Sequence, residues 1–318
     1  MIPFIIRRLI LIVPVMLIVG TITFLLLHVT PGDPAAVMLG PDATPAQVEQ
    51  LRDDLGLDEP LLVQYPRWIS NVVKFDLGRS IFLDRPVINA ILERALPTLQ
   101  LSLYALIIAI GLGVPAGVLA VLKRDTLLDR MLLILALSGT AIADFFLGML
   151  LILLFAVVLQ WFPSGGYVAF SADPVEHFRA MFLPSLALGI SIAGLPARLI
   201  RTSMLDVIQE DYVKVAVSRG LSPWVVTTRH VLRNALIPAI TVFGYTLGDL
   251  LGGAVVVETV FSLPGMGQLV VNSIARRDFP VIQGVVMVIA VAYLLANLLV
   301  DILYVAADPR VRVDRVSR

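Results

Sequence analysis

Apolar residues in this chain come in long unbroken runs. They show neither the alternation of a half-buried strand nor the one-sided stripe of a soluble helix. Leu9–Val29, Leu96–Leu122 and Phe279–Val300 carry no charge, and Ala180–Ala197 is a slightly shorter run of the same kind. Two further runs hold one acid each, Met131–Trp161 with Asp144 and Asn234–Val257 with Asp249. About 20 apolar residues cross a bilayer, so the pattern predicts an all-α integral membrane fold with six transmembrane helices. Residues 1–30 read as an N-terminal tail and first span, 31–97 as a region outside the membrane that caps the spans, 98–308 as a core of five spans, and 309–318 as a tail.

Shorter elements lie between the runs. Thr44, Pro45 and Gln47 read as N-cap, first-turn proline and capping-box glutamine of a short helix that ends at Gly56, with Val48, Leu51 and Leu55 on its apolar face. A second helix is expected near Val87–Leu96, in the region outside the membrane. After the fifth span, Pro264, Gly265 and Gly267 break the chain, and "MGQLVVNSI" is expected to form a short helix that dips back. Residues 203–236 are helical in pattern but too polar to span.

Composition supports the membrane reading: 58% of residues are hydrophobic and 15% charged, against roughly half and a quarter in soluble domains. Lys and Arg set the orientation. With the N-terminus in the cytoplasm, fifteen of them lie inside and nine outside, six of those nine in the long 30–97 loop, where charge counts little. Both termini are therefore expected in the cytoplasm. "MIPFIIRRLILIVPVMLIVG" also has the outline of a signal peptide. Its apolar run of 21 residues is long for one, and no small-x-small site follows, so it reads as the first span.

Several chemistries leave no trace. There is no Cys for a disulfide or a thiolate metal site, no HExxH, no GxSxG and no dense basic tract for nucleic acid. A nucleotide-binding loop needs Gly-Lys-[Ser/Thr]. The three lysines, Lys74, Lys123 and Lys214, follow Val73, Leu122 and Val213. The chain thus holds no ATP site, no metal site and no catalytic residue that the sequence reveals, and it is not expected to be an enzyme.

The segment Lys214–Pro238 stands out. It carries Lys214, Arg219, Arg229, His230 and Arg233 and no acid. Asp206, Glu210 and Asp211 precede it, the order a helix dipole favours. Ala216 and Gly220 are small and one turn apart, open to close approach by another surface. Ser222 reads as a new N-cap with Pro223 behind it. The expected form is helix, tight turn, helix across the cytoplasmic face. Two readings fit: a surface helix on anionic lipid heads, or a docking element for a protein. Asp144 and Asp249 are the acids inside spans; each is either a lining of a solute path or a buried acid at a helix interface.

The same segment resembles the loop of bacterial ATP-binding-cassette importer permeases that carries E-A-A-x-x-x-G followed by I-x-L-P. Ala216-x-x-x-Gly220 matches its core. Lys214 and Val215 replace its first two positions, and Arg233 stands where its proline would be. "RRLILIVP", "HVTPGDPA", "DLGLDEPLLVQY", "DLGRSI", "SMLDVIQEDYVKVA", "VVVETVFSLPGMGQL", "RRDFPVIQGVV" and "NLLVDILYVAADPRVR" resemble the first-permease type of the subgroup importing dipeptides, oligopeptides, glutathione or nickel. That resemblance implies a type I importer permease fold in the inner membrane and half of a translocation pathway. It also implies partners: a paralogous second permease, two ATPase subunits or domains holding ATP and Mg, an extracytoplasmic solute-binding protein and a peptide-like solute. The 211–238 loop then couples to the ATPases through Ala216, Gly220, Leu221 and Ser222, with Arg219 and Arg229 at the rim. Glu258 anchors the outer loop of Pro264, Gly265 and Gly267. The competing reading is an ATP-independent secondary transporter with Asp144 and Asp249 as coupling sites.

Overall fold

The computed structural model describes residues 2–29, 33–40 and 43–307. The tail 309–318 and part of "HVTPGDPA" lie outside those residues. The helices in order are α1 (Ile2–Val29), α2 (Pro34–Leu39), α3 (Pro45–Leu55), α4 (Leu61–Val73), α5 (Val87–Leu122), α6 (Leu127–Ala141), α7 (Asp144–Leu151), α8 (Pro174–Ile208), α9 (Asp211–Ser218), α10 (Pro223–Val225), α11 (Leu232–Gly253), α12 (Val255–Val260), α13 (Met266–Ala275) and α14 (Phe279–Ala307). Two-residue strands β1 (Arg79–Ser80) and β2 (Arg85–Pro86) pair antiparallel before α5.

Four helices are long and apolar enough to cross a membrane, and two bent helix pairs bring the number to six if each pair is one span. The all-α membrane architecture is therefore the one expected, with two changes. The helix expected at Val87–Leu96 is not separate: α5 runs unbroken through Pro97 to Leu122. Prolines are tolerated within such helices. The third run is not straight: Leu127–Ala141 and Asp144–Val158 meet at 102°. Ile142 and Ala143 are extended between them, and Asp144 opens α7 with its carboxylate accepting from Phe145 N. A carboxylate at a helix N-terminus is favoured by the dipole, so a new helix starts where the apolar pattern alone continues the old one.

The chain divides into two compact units, Met1–Thr98 with Pro264–Leu294, and Leu99–Leu263 with Leu295–Arg318. The division by contacts therefore returns residues 264–294 to the N-terminal region. Within the first unit, the rings of Phe24 on α1 and of Tyr65 and Trp68 on α4 pack together. Thr44 and Gln47 form the full capping box of α3, and Gly56 ends it in the left-handed conformation. Met266 N at the start of α13 donates to the buried Thr98 hydroxyl, below a core of Val87, Ala90, Ile91, Leu269, Val281 and Val285.

The second unit is built around α8, which contacts α6, α7, α9, α11 and α12. Small residues set the spacing. A Cβ on Gly139 would sit 2.7 Å from Ile190 O, and one on Gly194 would collide with Ala136 O. Close backbone approach through glycines is the usual way for helices to pack where lipid competes for apolar surface. One core gathers Leu101, Met181, Leu183, Leu188, Leu250 and Phe261. The other gathers Val118, Val121, Ile200, Met204, Val213, Ala216, Val226 and Val231.

Candidate functional site

Two features of the second unit bear on function. The first is the loop from α8 to α11. α8 ends at Ile208, α9 begins at Asp211 and stops at Ser218, and Gly220 follows at φ 77°. A side chain is strained at that φ, and the space around Gly220 is open. Ser222 then starts the next helix, its hydroxyl accepting from Val225 N and its carbonyl from Val226 N. The expected helix, tight turn and helix are present.

The two faces of this loop differ. Val213 is 2% and Ala216 7% exposed, packed on Val118, Ile200 and Met204. Val217 is 57%, Leu221 40% and Trp224 60% exposed. Of the expected docking set, Ala216 faces inward, because α9 turns its 213 and 216 positions to the helix ends beneath. Gly220, Leu221, Ser222, Arg219 and Arg229 are exposed. Among the described residues, no ion pair holds Arg219 or Arg229. Lys214 bonds Asp211 and holds that carboxyl below its usual range. Beside these groups lies a concavity of about 470 Å³ lined by Val213, Lys214, Val217, Leu221, Val226 and Thr227.

The second feature is a cavity of about 310 Å³ that brings Asp144 and Asp249 together. Thr140, Ser191 and Thr246 join them, with Leu188, Ile192, Leu195 and Leu250 as apolar wall. The chemistry is one-sided. Thr140 donates its hydroxyl proton to Leu137 O, Ser191 to Leu188 O and Thr246 to Val242 O. What those hydroxyls turn outward are lone pairs, and carboxylate oxygens are acceptors. The cavity therefore presents acceptors to whatever enters.

Two arrangements were not legible in advance. Asp129, 3% exposed, receives Nε and Nη2 of Arg201 at 2.9 and 2.8 Å. Tyr212 OH accepts from Asn234 at 2.6 Å, tying α9 to α11. Both join residues far apart in the chain, and no local pattern marks them. Glu258 is buried at 1% exposure, and its carbonyl accepts from Leu263 N in the turn after α12. In the first unit, Gly265 precedes α13, and Gly265 and Gly267 are buried. No group of His, Cys, Asp and Glu able to hold a metal occurs among the described residues.

The comparisons bear on the whole chain. Residues 113–313 match the family described as binding-protein-dependent transport system inner membrane component, and residues 1–102 match its N-terminal companion. A protein of Brucella abortus (strain 2308) named for a peptide transport system permease is 45% identical over 302 residues, covering 95% of this chain and 96% of that one. A glutathione transport system permease protein of Escherichia coli (strain K12) is 42% identical over 312 residues, covering 98% of this chain and 99% of that one.

Proposed function

The chain belongs to the binding-protein-dependent transport system inner membrane components, and on that ground we propose that its α8–α11 loop docks ATPase subunits while its acidic cavity lines the solute path. The permease role is that of the family, which does not favour the self-powered secondary transporter.

The observation that carries the docking reading is the two-faced loop. Its base is packed and its outer face offers Val217, Leu221 and Trp224 to water. Exposed apolar clusters of this kind mark interaction surfaces. The flanking Arg219 and Arg229 give it a positive rim. In this reading both termini and the loop face the cytoplasm, and residues 31–97 face outward. Two ATPase subunits hold ATP and Mg, a second paralogous permease completes the pore, and an extracytoplasmic binding protein delivers the solute. Closure of the ATPase pair moves the loop, and the cavity changes the side to which it opens.

The acceptor-only cavity suits a solute that brings donors. A protonated amino group brings three and a positive charge, and a peptide-like solute carries one. Relatives named for peptide and glutathione transport agree with that class.

The test is affinity purification of the tagged chain from its native membrane with its ATPase activity assayed. Gly220→Trp and Leu221→Glu are compared with wild type. Walker-containing subunits are expected with the wild type and lost from both variants. A wild type that brings down no ATPase in mild detergent would sink the docking reading.

A further inference from the structure

One seam of the second unit runs from beside the loop to the cavity. Resting on the docking reading, we infer that Asp129 and Arg201 form a positioning clamp that makes α6 and α8 move as one body.

The carboxylate of Asp129 is held by three donors, Arg201 Nε at 2.9 Å, Arg201 Nη2 at 2.8 Å and Asp125 N at 3.2 Å. A bidentate guanidinium–carboxylate pair fixes direction as well as distance. It is satisfied in one relative placement of the two helices, and the 3% exposure of Asp129 leaves water little access to the carboxylate, while the Arg201 side chain is 24% exposed. Arg201 lies seven residues before the end of α8, and α9 follows three residues after that end. The clamp therefore grips α8 close to where the loop departs.

The same seam is fastened again further along. Gly139 sits against Ile190 O, and Gly194 against Ala136 O and the Thr140 methyl. From 129 to 140 and from 201 back to 190 are eleven residues on each helix, about 16 Å of helix at 1.5 Å per residue. Over that length neither helix can slide without breaking the ion pair or driving backbone into backbone. Just past the second fastening the chain breaks at Ile142 and Ala143, with ψ of 129° and 133°. Thr140 before that break and Asp144 after it both line the acidic cavity, as do Leu188, Ser191, Ile192 and Leu195 of α8. The clamped seam starts beside the loop and ends at the cavity. Displacement of the loop is delivered to the break, where α7 re-angles and Asp144 moves relative to Asp249.

A buried ion pair adds little net stability compared with a packed apolar pair, so its retention is explained here by register. The role predicted for Asp129 is in coupling, and the ratio of solute moved to ATP hydrolysed reads it directly.

The experiment uses the complete transporter, with both permeases, the ATPases and the binding protein, in proteoliposomes. Asp129→Asn is compared with wild type. The chain has no cysteine, so an Asp129→Cys/Arg201→Cys double variant can be bridged before assembly by a short disulfide-forming bifunctional reagent. Expected is a complex with Asp129→Asn that assembles and hydrolyses ATP at the basal rate but moves about tenfold less solute per ATP. The unbridged double variant behaves alike, the bridge restores the ratio, and reductant removes it again. Wild-type stoichiometry in Asp129→Asn, or a bridged complex that stays uncoupled, would overturn the clamp. If Asp129→Asn fails to assemble, the bridged and reduced forms of the double variant decide by the same ratio. Absence of ATPases from the wild type itself marks failure of the docking reading, and the clamp falls with it.

Discussion

Two aspartates stand near the two ends of α6, and their surroundings are opposite. Asp129 is buried and receives two nitrogens of Arg201 and a backbone N–H. Asp144 is half-buried, accepts its one recorded bond from the neighbouring backbone at Phe145, and opens onto the cavity it shares with Asp249. Both are carboxylates in the first turn of a helix. The difference is that one is matched by an internal cation and the other, in the function proposed above, meets an incoming one. Acids inside spans are costly and persist where they pair or serve a path; Asp129, just before the third apolar run, is paired, and the path is the role proposed for Asp144.

The largest break in that comparison comes from removing the internal match. Asp129→Ala leaves the partly buried Arg201 guanidinium without its partner, a loss of about 3 kcal/mol, read as an earlier unfolding midpoint of the purified chain in detergent. Gly194→Leu attacks the same seam through packing. Its side chain meets Ala136 O and Thr140, and the expected cost is about 2 kcal/mol in the same assay. Asp144→Asn should do the reverse of Asp129→Ala. The unfolding midpoint stays within the scatter expected of a surface change, about 0.5 kcal/mol, while uptake of an amine-bearing peptide by the full transporter falls about tenfold, the loss of one charge-assisted contact. Equal stability losses for Asp129→Ala and Asp144→Asn would erase the distinction.

The smallest effect belongs to a third aspartate. Asp211 is exposed and its carboxyl is held below the usual range by Lys214. A depressed folded-state pKa means the contribution is present above the ordinary carboxylate value near 4 and lost as pH falls through the lower folded value. Exposed pairs contribute little. Lys214→Ala should leave the midpoint at neutral pH almost unmoved, with any difference from wild type disappearing in acid.

Much of this was legible because it is local. Span-length apolar runs, the Thr44–Gln47 capping box and the Gly220–Ser222–Pro223 turn each arise within a few residues, and each is where the pattern placed it. The family likeness rested on motifs spread over the chain and is the family found. What was not legible depends on distant partners. No glycine or proline marks the break at Ile142–Ala143. Asp129 and Arg201 are 72 residues apart. The inward turn of Ala216 depends on the ends of α5 and α8 beneath it. Asp144 and Asp249 were singled out separately as acids in spans, and only the packing of α7 and of α11 against α8 puts them on one cavity with three hydroxyls.

The most direct measurement is photocrosslinking in the native membrane from single positions of the loop. A photoreactive amino acid replaces Val217, Leu221 or Trp224, all exposed, and Val213, which is 2% exposed. The account expects crosslinks to an ATPase subunit from the three exposed positions and none from Val213. Crosslinks to lipid alone from those three positions would contradict it and return the loop to the membrane surface.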